Sequence, residues 1–249
     1  MKSFIITEKN AEEYVQKIAR WIKNKVNLAN MKGVVLGMSG GIDCSVVARL
    51  CQVAGVKTHL ILMPYGEDMK NCKSKNHAME LINKFDFSYS IFDIKTAVDS
   101  LEIGVEEKST STELAKANLR PRVRMTYLYE YAQINSFFVI GTGNLDERLI
   151  GYFTKWGDGA CDLNPIGNLT KGEVYTLARC LGVPESIINK KPSAGLWEGQ
   201  TDEDELGMGY DQIDRFIIDG TSGNIGVDEV IKKRIEMSKH KINPVSIFE

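Results

Sequence analysis

The sequence predicts an α/β protein of three layers, in which a parallel sheet is flanked by helices on both faces. Short apolar runs alternate along the chain with longer stretches of helical periodicity. Strands that alternate with helices imply βαβ units and a parallel sheet that is covered on both sides. The length of 249 residues suits one large domain, and no stretch has the composition of a linker. We therefore expect a single domain over residues 1–249.

The first elements follow from apolar patterning. Residues Ala11 to Leu28 predict an amphipathic helix, because its apolar side chains share one face: Val15, Ile18, Ile22 and Val26. The predicted strands are four apolar runs: Val34 to Met38, His59 to Met63, Tyr89 to Ile94 and Phe137 to Ile140.

Helices are predicted between and after these strands. One follows the Ser/Gly turn after the first strand, and others cover about Asn71 to Phe85, Glu205 to Ile218 and Val227 to His240. Two more begin at pairs with capping-box spacing, Thr110 with Glu113 and Thr170 with Glu173, the latter helix ending near Leu181. The stretch Lys190 to Asp204 has little periodicity and predicts a long surface loop, a candidate lid.

Composition excludes several classes of protein. A formal net charge of -2 argues against a protein that mainly grips a nucleic-acid backbone. The five cysteines are scattered without a C-x-x-C pair, which argues against a disulfide framework or zinc ribbon and favours a reducing compartment. The sequence has no secretory signal pattern and no apolar run of membrane-spanning length. We expect a cytoplasmic protein with neither nucleic-acid nor membrane partners.

A turn rich in small residues follows the first predicted strand and leads directly into a helix. It reads Gly37, Met38, Ser39, Gly40, Gly41, Ile42, Asp43, Cys44, Ser45. Small residues let backbone N–H groups approach an anion, and the helix N-terminus adds positive partial charge. A plain tight turn is the alternative. No Lys follows Gly41, so the kinase and GTPase P-loop is excluded, and the spacing does not fit the dinucleotide fingerprint.

A second polar stretch follows the last predicted strand. Residues Gly141 to Glu147 read GTGNLDE, and Gly151 to Pro165 read GYFTKWGDGACDLNP. Ligands of α/β sheets bind at the carboxyl ends of strands. Both polar stretches are therefore expected at the same edge of the sheet.

These motifs carry a family resemblance. The run from Ser39 to Asp43 resembles the S-G-G-x-D loop of ATP pyrophosphatases, and the run Phe153 to Gly159 is similar to that of ammonia-dependent NAD⁺ synthetases. Further matches lie at residues 118–125, 190–194, 205–214 and 240–241, so that the resemblance extends from about Met31 to Phe248. It implies a Rossmann-like sheet of the adenine nucleotide alpha hydrolase type.

The resemblance also implies a reaction. ATP would convert the nicotinate carboxylate of deamido-NAD⁺ into an adenylate with release of pyrophosphate. Free ammonia would then displace AMP to give NAD⁺. Glutamine-dependent relatives add a separate domain, for which this chain has no room. The resemblance further implies a homodimer whose site residues are shared across the interface. Its candidate surface is the helical stretch Thr112 to Gln133, with the apolar residues Leu114, Leu119, Met125, Leu128 and Tyr129.

The family's functional residues carry over to matching positions. ATP would be bound by Gly37, Met38, Ser39, Gly40, Gly41, Ile42, Asp43, Cys44, Ser45, Thr142, Lys171 and Ser193. Mg²⁺ would be bound by Asp43 and Glu147, and deamido-NAD⁺ by Arg122, Lys155, Asp162, His240 and Lys241. The catalytic candidates are Asp43, Lys171 and Asp158, the last as the group that holds or deprotonates ammonium. The family usually has Ser where this chain has Cys44, so that contact belongs either to the thiol or to Ser45.

Simpler interpretations exist for several of these residues. Asp158, between two glycines, could form a turn, and His240 could be a surface residue. Lys171 follows a helix N-cap, where a cation opposes the helix dipole, which weakly indicates an anionic partner. The alternative functions are a GMP-synthetase-like or tRNA-thiolating pyrophosphatase and a non-catalytic nucleotide sensor. Retention of Asp43 and Glu147 argues against the sensor.

Overall fold

The computed structural model describes residues 5–66, 73–102, 110–191 and 202–248. The helices within these residues are α1 (Ala11–Leu28), α2 (Ile42–Val53), α3 (Lys73–Phe85), α4 (Lys95–Leu101), α5 (Thr110–Asn135), α6 (Leu145–Ile150), α7 (Lys171–Cys180), α8 (Glu185–Ile188), α9 (Asp202–Leu206), α10 (Tyr210–Asp219) and α11 (Ile225–Ile242). The strands are β1 (Gly33–Gly37), β2 (Thr58–Leu62), β3 (Ser88–Ile91) and β4 (Phe137–Val139).

The described strands form one parallel sheet in the order β3-β2-β1-β4. Val35 of β1 pairs with His59 of β2 on one side and with Val139 of β4 on the other. The chain adds β2 and β3 on one side of β1 and then crosses to place β4 on the opposite side. The change of direction lies between β1 and β4, where open α/β sheets have their ligand crevice.

Helices cover both faces of the sheet. On one face, α1, α2 and α7 pack over Leu36 and Leu60 through buried residues such as Leu50 and Leu177. On the other face, α4 and α5 pack over Val35 and Ile61. The three-layer α/β class expected from the sequence is therefore confirmed.

A third apolar cluster joins the C-terminal helices to α6. Ile150 of α6, Ile213 of α10 and Ile231 of α11 are buried together. This packing fixes α10 and α11 against α6, which directly follows the turn after β4. The C-terminal part of the chain is thereby placed beside the crevice.

Most predicted elements are confirmed with small shifts at their ends. The helix Ala11–Leu28 has the predicted bounds, and its Val15, Ile22 and Val26 are buried. Helix α7 begins directly after Thr170, whose backbone N–H donates to Glu173 Oε2 at 2.8 Å. Helix α5 begins at Thr110 itself, but the side chain of Thr110 lies outside the described part of the structure.

Two expectations about the region before residue 219 were wrong. The expected surface loop does not extend to Asp204, because α9 begins at Asp202, whose side chain is buried. The continuous helix expected from Glu205 to Ile218 is divided into α9 and α10, because Gly207 between them adopts φ = 71°. Residues 192–201 of the proposed lid lie outside the described residues. The short helices α4, α6 and α8 were not predicted.

The dimer expectation also changes in detail. Met125 and Leu128 of α5 are buried against the sheet and take part in the core, so they are not available to a partner. Leu114, Tyr129 and Ile134 of the same helix are exposed by 51%, 38% and 75%. None of the described helices combines the length and apolar content that crossing a bilayer requires.

Candidate active site

The turn between β1 and α2 exposes main-chain donors at a helix N-terminus. Gly40 adopts φ = 72°, a left-handed conformation that glycine tolerates without strain. Gly41 precedes the first residue of α2 and has no capping side chain. Its N–H donates to Ser39 Oγ at 3.3 Å. Oriented N–H groups and the positive end of α2 make this turn suited to an anion.

The Cys44 thiol and the Ser45 hydroxyl make different contacts in the structure. Ser45 is fully buried, and its Oγ donates to the carbonyl oxygen of Gly41 at 2.7 Å. Cys44 Sγ lies 3.1 Å from the same carbonyl and 3.3 Å from Ser39 Oγ. Cys44 is therefore the residue beside the loop hydroxyl, and Ser45 acts inside the helix turn.

Three charged residues meet next to this turn. Asp43, in the first turn of α2, has its Oδ2 at 2.6 Å from Lys171 Nζ, at the start of α7. Glu147 of α6 places Oε1 at 3.8 Å from the same ammonium. The side chain of Lys171 is 3% exposed, whereas those of Asp43 and Glu147 are 18% and 19% exposed. The carboxylates thus reach the surface of the crevice with the ammonium behind them.

Asn144 holds the two carboxylates in place. Its Nδ2 donates to Asp43 Oδ1 at 3.1 Å, and its backbone N–H donates to Glu147 Oε2 at 3.1 Å. Its Oδ1 accepts from the backbone N–H of Glu147 at 2.9 Å, which completes a capping box at the start of α6. Asn144 is fully buried. The capping box therefore fixes the side chain of Glu147 at the start of α6, the helix that follows β4.

Two carboxyl groups share this site with a single ammonium. Burial and the negative charge of Asp43 raise the pKa of Glu147 to about 8. Burial alone would lower the pKa of Lys171, but Asp43 and Glu147 outweigh it and raise the pKa above its ordinary value. The two carboxyl groups therefore favour the charged form of Lys171, and burial beside Asp43 favours the protonated form of Glu147.

Two further carboxyl groups contact the main chain of Lys171. Its N–H donates to Asp146 Oδ2 at 2.8 Å and to Asp214 Oδ1 at 3.1 Å. Burial and the neighbouring Asp214 raise the pKa of Asp146 to about 9. Asp146 therefore carries a proton at neutral pH, which reduces repulsion between the two groups.

A second group of candidate residues lies where the loop after α6 meets the end of α11. Lys155 Nζ donates to the carbonyl oxygen of His240 at 2.5 Å. In return, Lys241 Nζ donates to the carbonyl oxygens of Gly151 and Phe153 at 2.7 and 2.8 Å. Arg122 of α5 donates through Nε to the carbonyl oxygen of Lys155 at 3.3 Å. The structure thus brings together four of the five residues assigned to deamido-NAD⁺: Arg122, Lys155, His240 and Lys241.

The remaining candidates are placed separately. Asp162 is exposed; its Oδ2 accepts from the N–H of Val139 at 2.7 Å. Asp158 is exposed, and its Oδ1 accepts from the N–H of Thr154 at 3.0 Å, as a turn residue would. Thr142 lies in the turn after β4, two residues before Asn144. Ser193 lies outside the described residues.

Sequence reasoning missed the residues that support this site. Asn144 with Glu147 has the spacing of a capping box, which is the signal that identifies it. Asp146, Tyr210 and Asp214 are brought to Lys171 only by the packing of α6 and α10 against α7. Asp146 lies in the predicted polar stretch, and Tyr210 and Asp214 lie in the matched run 205–214, but neither run indicates a contact with Lys171.

The donor set at the crevice fits magnesium. No cluster of three or more metal-binding side chains occurs among the residues that the structure describes. Magnesium, however, is usually bound through one or two carboxylates together with substrate phosphates. Asp43 and Glu147 supply such a pair beside an anion-binding turn.

Comparison with known proteins agrees with this geometry. The family model described as NAD synthase matches residues 14–246. The chain belongs to the NAD synthase family. It is 42% identical over 241 residues to the NH(3)-dependent NAD(+) synthetase of Finegoldia magna, covering 96% of this chain and 97% of the relative.

Two solved structures of family members are similar along nearly the whole chain. The NMN synthetase from Francisella tularensis superposes with a TM-score of 0.89 at 37% identity, covering 98% of this chain and 99% of that one. The NH3-dependent NAD synthetase from Campylobacter jejuni, solved with a nitrate ion, gives a TM-score of 0.79 at 31% identity, covering 96% and 99%. The sheet and flanking helices are thus those of NAD synthases.

Proposed function

We propose that the protein is an ammonia-dependent synthetase that converts deamido-NAD⁺ into NAD⁺ at the expense of ATP. The observation that carries the proposal is the meeting of Asp43, Glu147 and Lys171 beside the anion-binding turn, at the crevice between β1 and β4. Membership of the NAD synthase family supports the same conclusion.

The proposed reaction has two steps. The nicotinate carboxylate attacks the α-phosphorus of ATP, the bond to the bridging oxygen breaks, and pyrophosphate leaves. Ammonia then attacks the acyl carbon of the adenylate and loses a proton, and AMP leaves. The product is the amide NAD⁺. The difficult requirement in the first step is the negative charge that collects on pyrophosphate.

The charged residues of the crevice would stabilise this negative charge. The turn from Gly37 to Ser45 would bind phosphate oxygens through its N–H groups, with Thr142 and Ser193 as further contacts. Lys171 would contact the departing phosphates, because its ammonium already lies 2.6 Å from Asp43 Oδ2. Mg²⁺ held by Asp43 and Glu147 would supply Lewis-acid neutralisation of the developing charge.

The second group of residues would bind the acid substrate. Arg122, Lys155 and Lys241 are cations beside the C-terminal end of α11, and a dinucleotide carries a pyrophosphate that needs such partners. His240 and Asp162 complete the assignment. Asp158 is the candidate for holding ammonium, because a carboxylate that accepts one N–H retains acceptor capacity.

Assembly and location are further parts of the proposal. Leu114, Tyr129 and Ile134 leave exposed apolar area on α5, which supports a homodimer built along this helix. Free cysteines, including Cys180 at the surface, support a reducing cytoplasmic environment.

One structural observation favours a second candidate substrate. The NMN synthetase from Francisella tularensis superposes with a higher TM-score, 0.89, than the NAD synthetase from Campylobacter jejuni, 0.79. The second candidate function is therefore amidation of the mononucleotide acid, nicotinate mononucleotide, by the same adenylation chemistry.

A product assay tests both candidates. The enzyme is incubated with ATP, Mg²⁺, ammonium and either acid, and AMP, ADP and the two amides are separated. We expect AMP and NAD⁺ in equal amounts, dependent on deamido-NAD⁺ and independent of glutamine. A higher kcat/KM for the mononucleotide would select the second candidate. AMP without either amide would indicate another acid, and ADP would refute adenylation.

A further inference from the structure

Lys171 stands at a position that is unfavourable for a cation. It is the first residue of α7, where the helix dipole places positive partial charge, and its side chain is 3% exposed. Its ammonium is compensated by Asp43 and Glu147. Those contacts fix the end of the side chain, but they do not fix the main chain that carries it.

Besides Asp146 of α6, a second carboxylate, from α10, holds this main chain. Asp214 of α10 accepts two hydrogen bonds from the first turn of α7, from Lys171 N–H to Oδ1 at 3.1 Å and from Gly172 N–H to Oδ2 at 2.8 Å. These N–H groups lack partners within the helix, so an external acceptor is required. A Cβ on Gly172 would lie 2.6 Å from Asp214 Oδ2, so glycine is what allows this close approach.

The same helix also contacts the side chain of Lys171. Tyr210 lies four residues before Asp214, so both project from one face of α10. The ammonium of Lys171 lies 4.9 Å from the centre of the Tyr210 ring. The Tyr210 hydroxyl donates to Asp202 Oδ2 at 2.9 Å, and Asp202 is buried. The hydrogen bond to Asp202 therefore fixes the Tyr210 hydroxyl, and with it the position of the ring beside the Lys171 ammonium.

We propose that the Tyr210–Asp214 face of α10 positions Lys171 for phosphate binding. Asp214 sets the place of the main chain, and the Tyr210 ring limits where the ammonium can lie. The inference rests on the proposed function for the role of Lys171, but both residues act through Lys171 and are positioning residues. Displacement of a catalytic group by about 1 Å is enough to cost about 100-fold in rate.

The test uses inorganic pyrophosphate with Mg²⁺ as the probe, titrated calorimetrically into the whole protein. Asp214→Asn keeps the size of the side chain but removes its charge and one of its two acceptor oxygens, so that Lys171 N–H is left with Asp146 Oδ2 alone. Asp211→Asn is the matched control, because Asp211 is an exposed carboxylate on the same helix. We expect Asp214→Asn to weaken pyrophosphate binding about tenfold and the control to leave it unchanged.

A double-mutant cycle separates positioning from general stability. In a Lys171→Met background, Asp214→Asn should cause no further loss of pyrophosphate affinity, because the group that it positions is absent. An equal loss in both backgrounds would overturn the proposal, and so would an Asp214→Asn protein that binds like the control. Melting temperatures verify that each variant is folded at the titration temperature.

A second variant keeps the proposal testable if Asp214→Asn does not fold. Tyr210→Leu removes the ring, and we expect it to weaken pyrophosphate binding about tenfold, whereas Tyr210→Phe retains the ring and should stay near the parent value. Equal binding by the two variants would overturn the role of the ring. Because pyrophosphate binding needs no turnover, an inactive parent protein that still binds it would count against the proposed function alone.

Discussion

Asp43→Asn removes a negative charge from the crevice while keeping the size and shape of the side chain nearly unchanged. The amide oxygen can still accept from Asn144 Nδ2, now at 3.1 Å from Asp43 Oδ1, so the link between residue 43 and Asn144 is preserved. Lys171 loses its carboxylate at 2.6 Å but retains Glu147 at 3.8 Å. The pKa of Glu147, which burial and Asp43 raise to about 8, should fall once the charge of Asp43 is removed. The ammonium therefore keeps an ionised partner.

The expected cost to stability is consequently small. Exchange of one charge-assisted hydrogen bond for a neutral one costs about 1 kcal/mol, and part of that is recovered as Glu147 ionises. For a protein of this size, such a change lowers the melting temperature by roughly 2–4 °C. The fold, including the packing of α6 and α7, should remain intact.

The expected cost to activity is much larger. Loss of one group that stabilises developing charge typically lowers kcat by about 10²–10³-fold, which is about 2.7–4 kcal/mol in the barrier. Asp43 is proposed to contribute to such stabilisation as a ligand of Mg²⁺. The substitution should therefore reduce AMP and pyrophosphate formation by at least this factor at saturating ATP.

The assay compares pyrophosphate release by the parent, Asp43→Asn and Asp211→Asn over a range of Mg²⁺ concentrations, with melting curves for each. We expect only Asp43→Asn to lose activity while all three proteins melt cooperatively. Turnover within about tenfold of the parent, equivalent to about 1.4 kcal/mol in the barrier, would refute the reasoning. Loss of the folded state would show that Asp43 is mainly structural.

Three other predictions concern single side chains. In the folded protein Glu147 has a pKa of about 8, whereas in the unfolded chain its pKa is near the ordinary value of 4.5. The folded state therefore binds the proton more tightly, and the metal-free protein should lose stability as the pH rises through this range. Glu147→Gln should flatten this slope by up to about 1.4 kcal/mol per pH unit in urea unfolding at pH 6 and 8. Lys155→Met should raise KM for the acid substrate about tenfold without changing KM for ATP; equal changes in both would contradict its assignment. Cys44→Ser should keep kcat within about threefold, because a hydroxyl can also donate to the carbonyl of Gly41, and a larger loss would show that the thiol is needed.

The fold was predictable because its signals are local. Apolar runs such as Phe137 to Ile140 give strands, and the pattern from Thr170 to Glu173 gives the start of α7 within one residue. The helix from Glu205 to Ile218 was mispredicted because its apolar periodicity continues across Gly207, whereas the left-handed backbone at that glycine ends the helix. Hydrophobic periodicity shows which face of a helix is apolar, but it does not show where one residue adopts a positive φ and ends the helix.

The candidate site was predictable only in part, for a related reason. The turn from Gly37 to Ser45 and the residues Asp43 and Glu147 stand in recognisable motifs at strand ends. Asp214 reaches Lys171 across 43 residues of sequence, so its contact depends on tertiary packing alone. The expected interface residues Met125 and Leu128 were misassigned because helical spacing does not say which apolar face meets the sheet.

Two residues that violate local preferences mark the two halves of the site. Lys171 is a buried cation at a helix N-terminus, stabilised by carboxylates on α2, α6 and α10. Trp156 is 63% exposed and adopts φ = 63°, unfavourable for a bulky side chain, in the loop that carries Lys155. Such local conflicts persist where the surrounding structure compensates for them, and they concentrate at functional sites. One lies where phosphates would bind and the other beside the cations assigned to the acid substrate, so each half of the proposed site contains one such conflict.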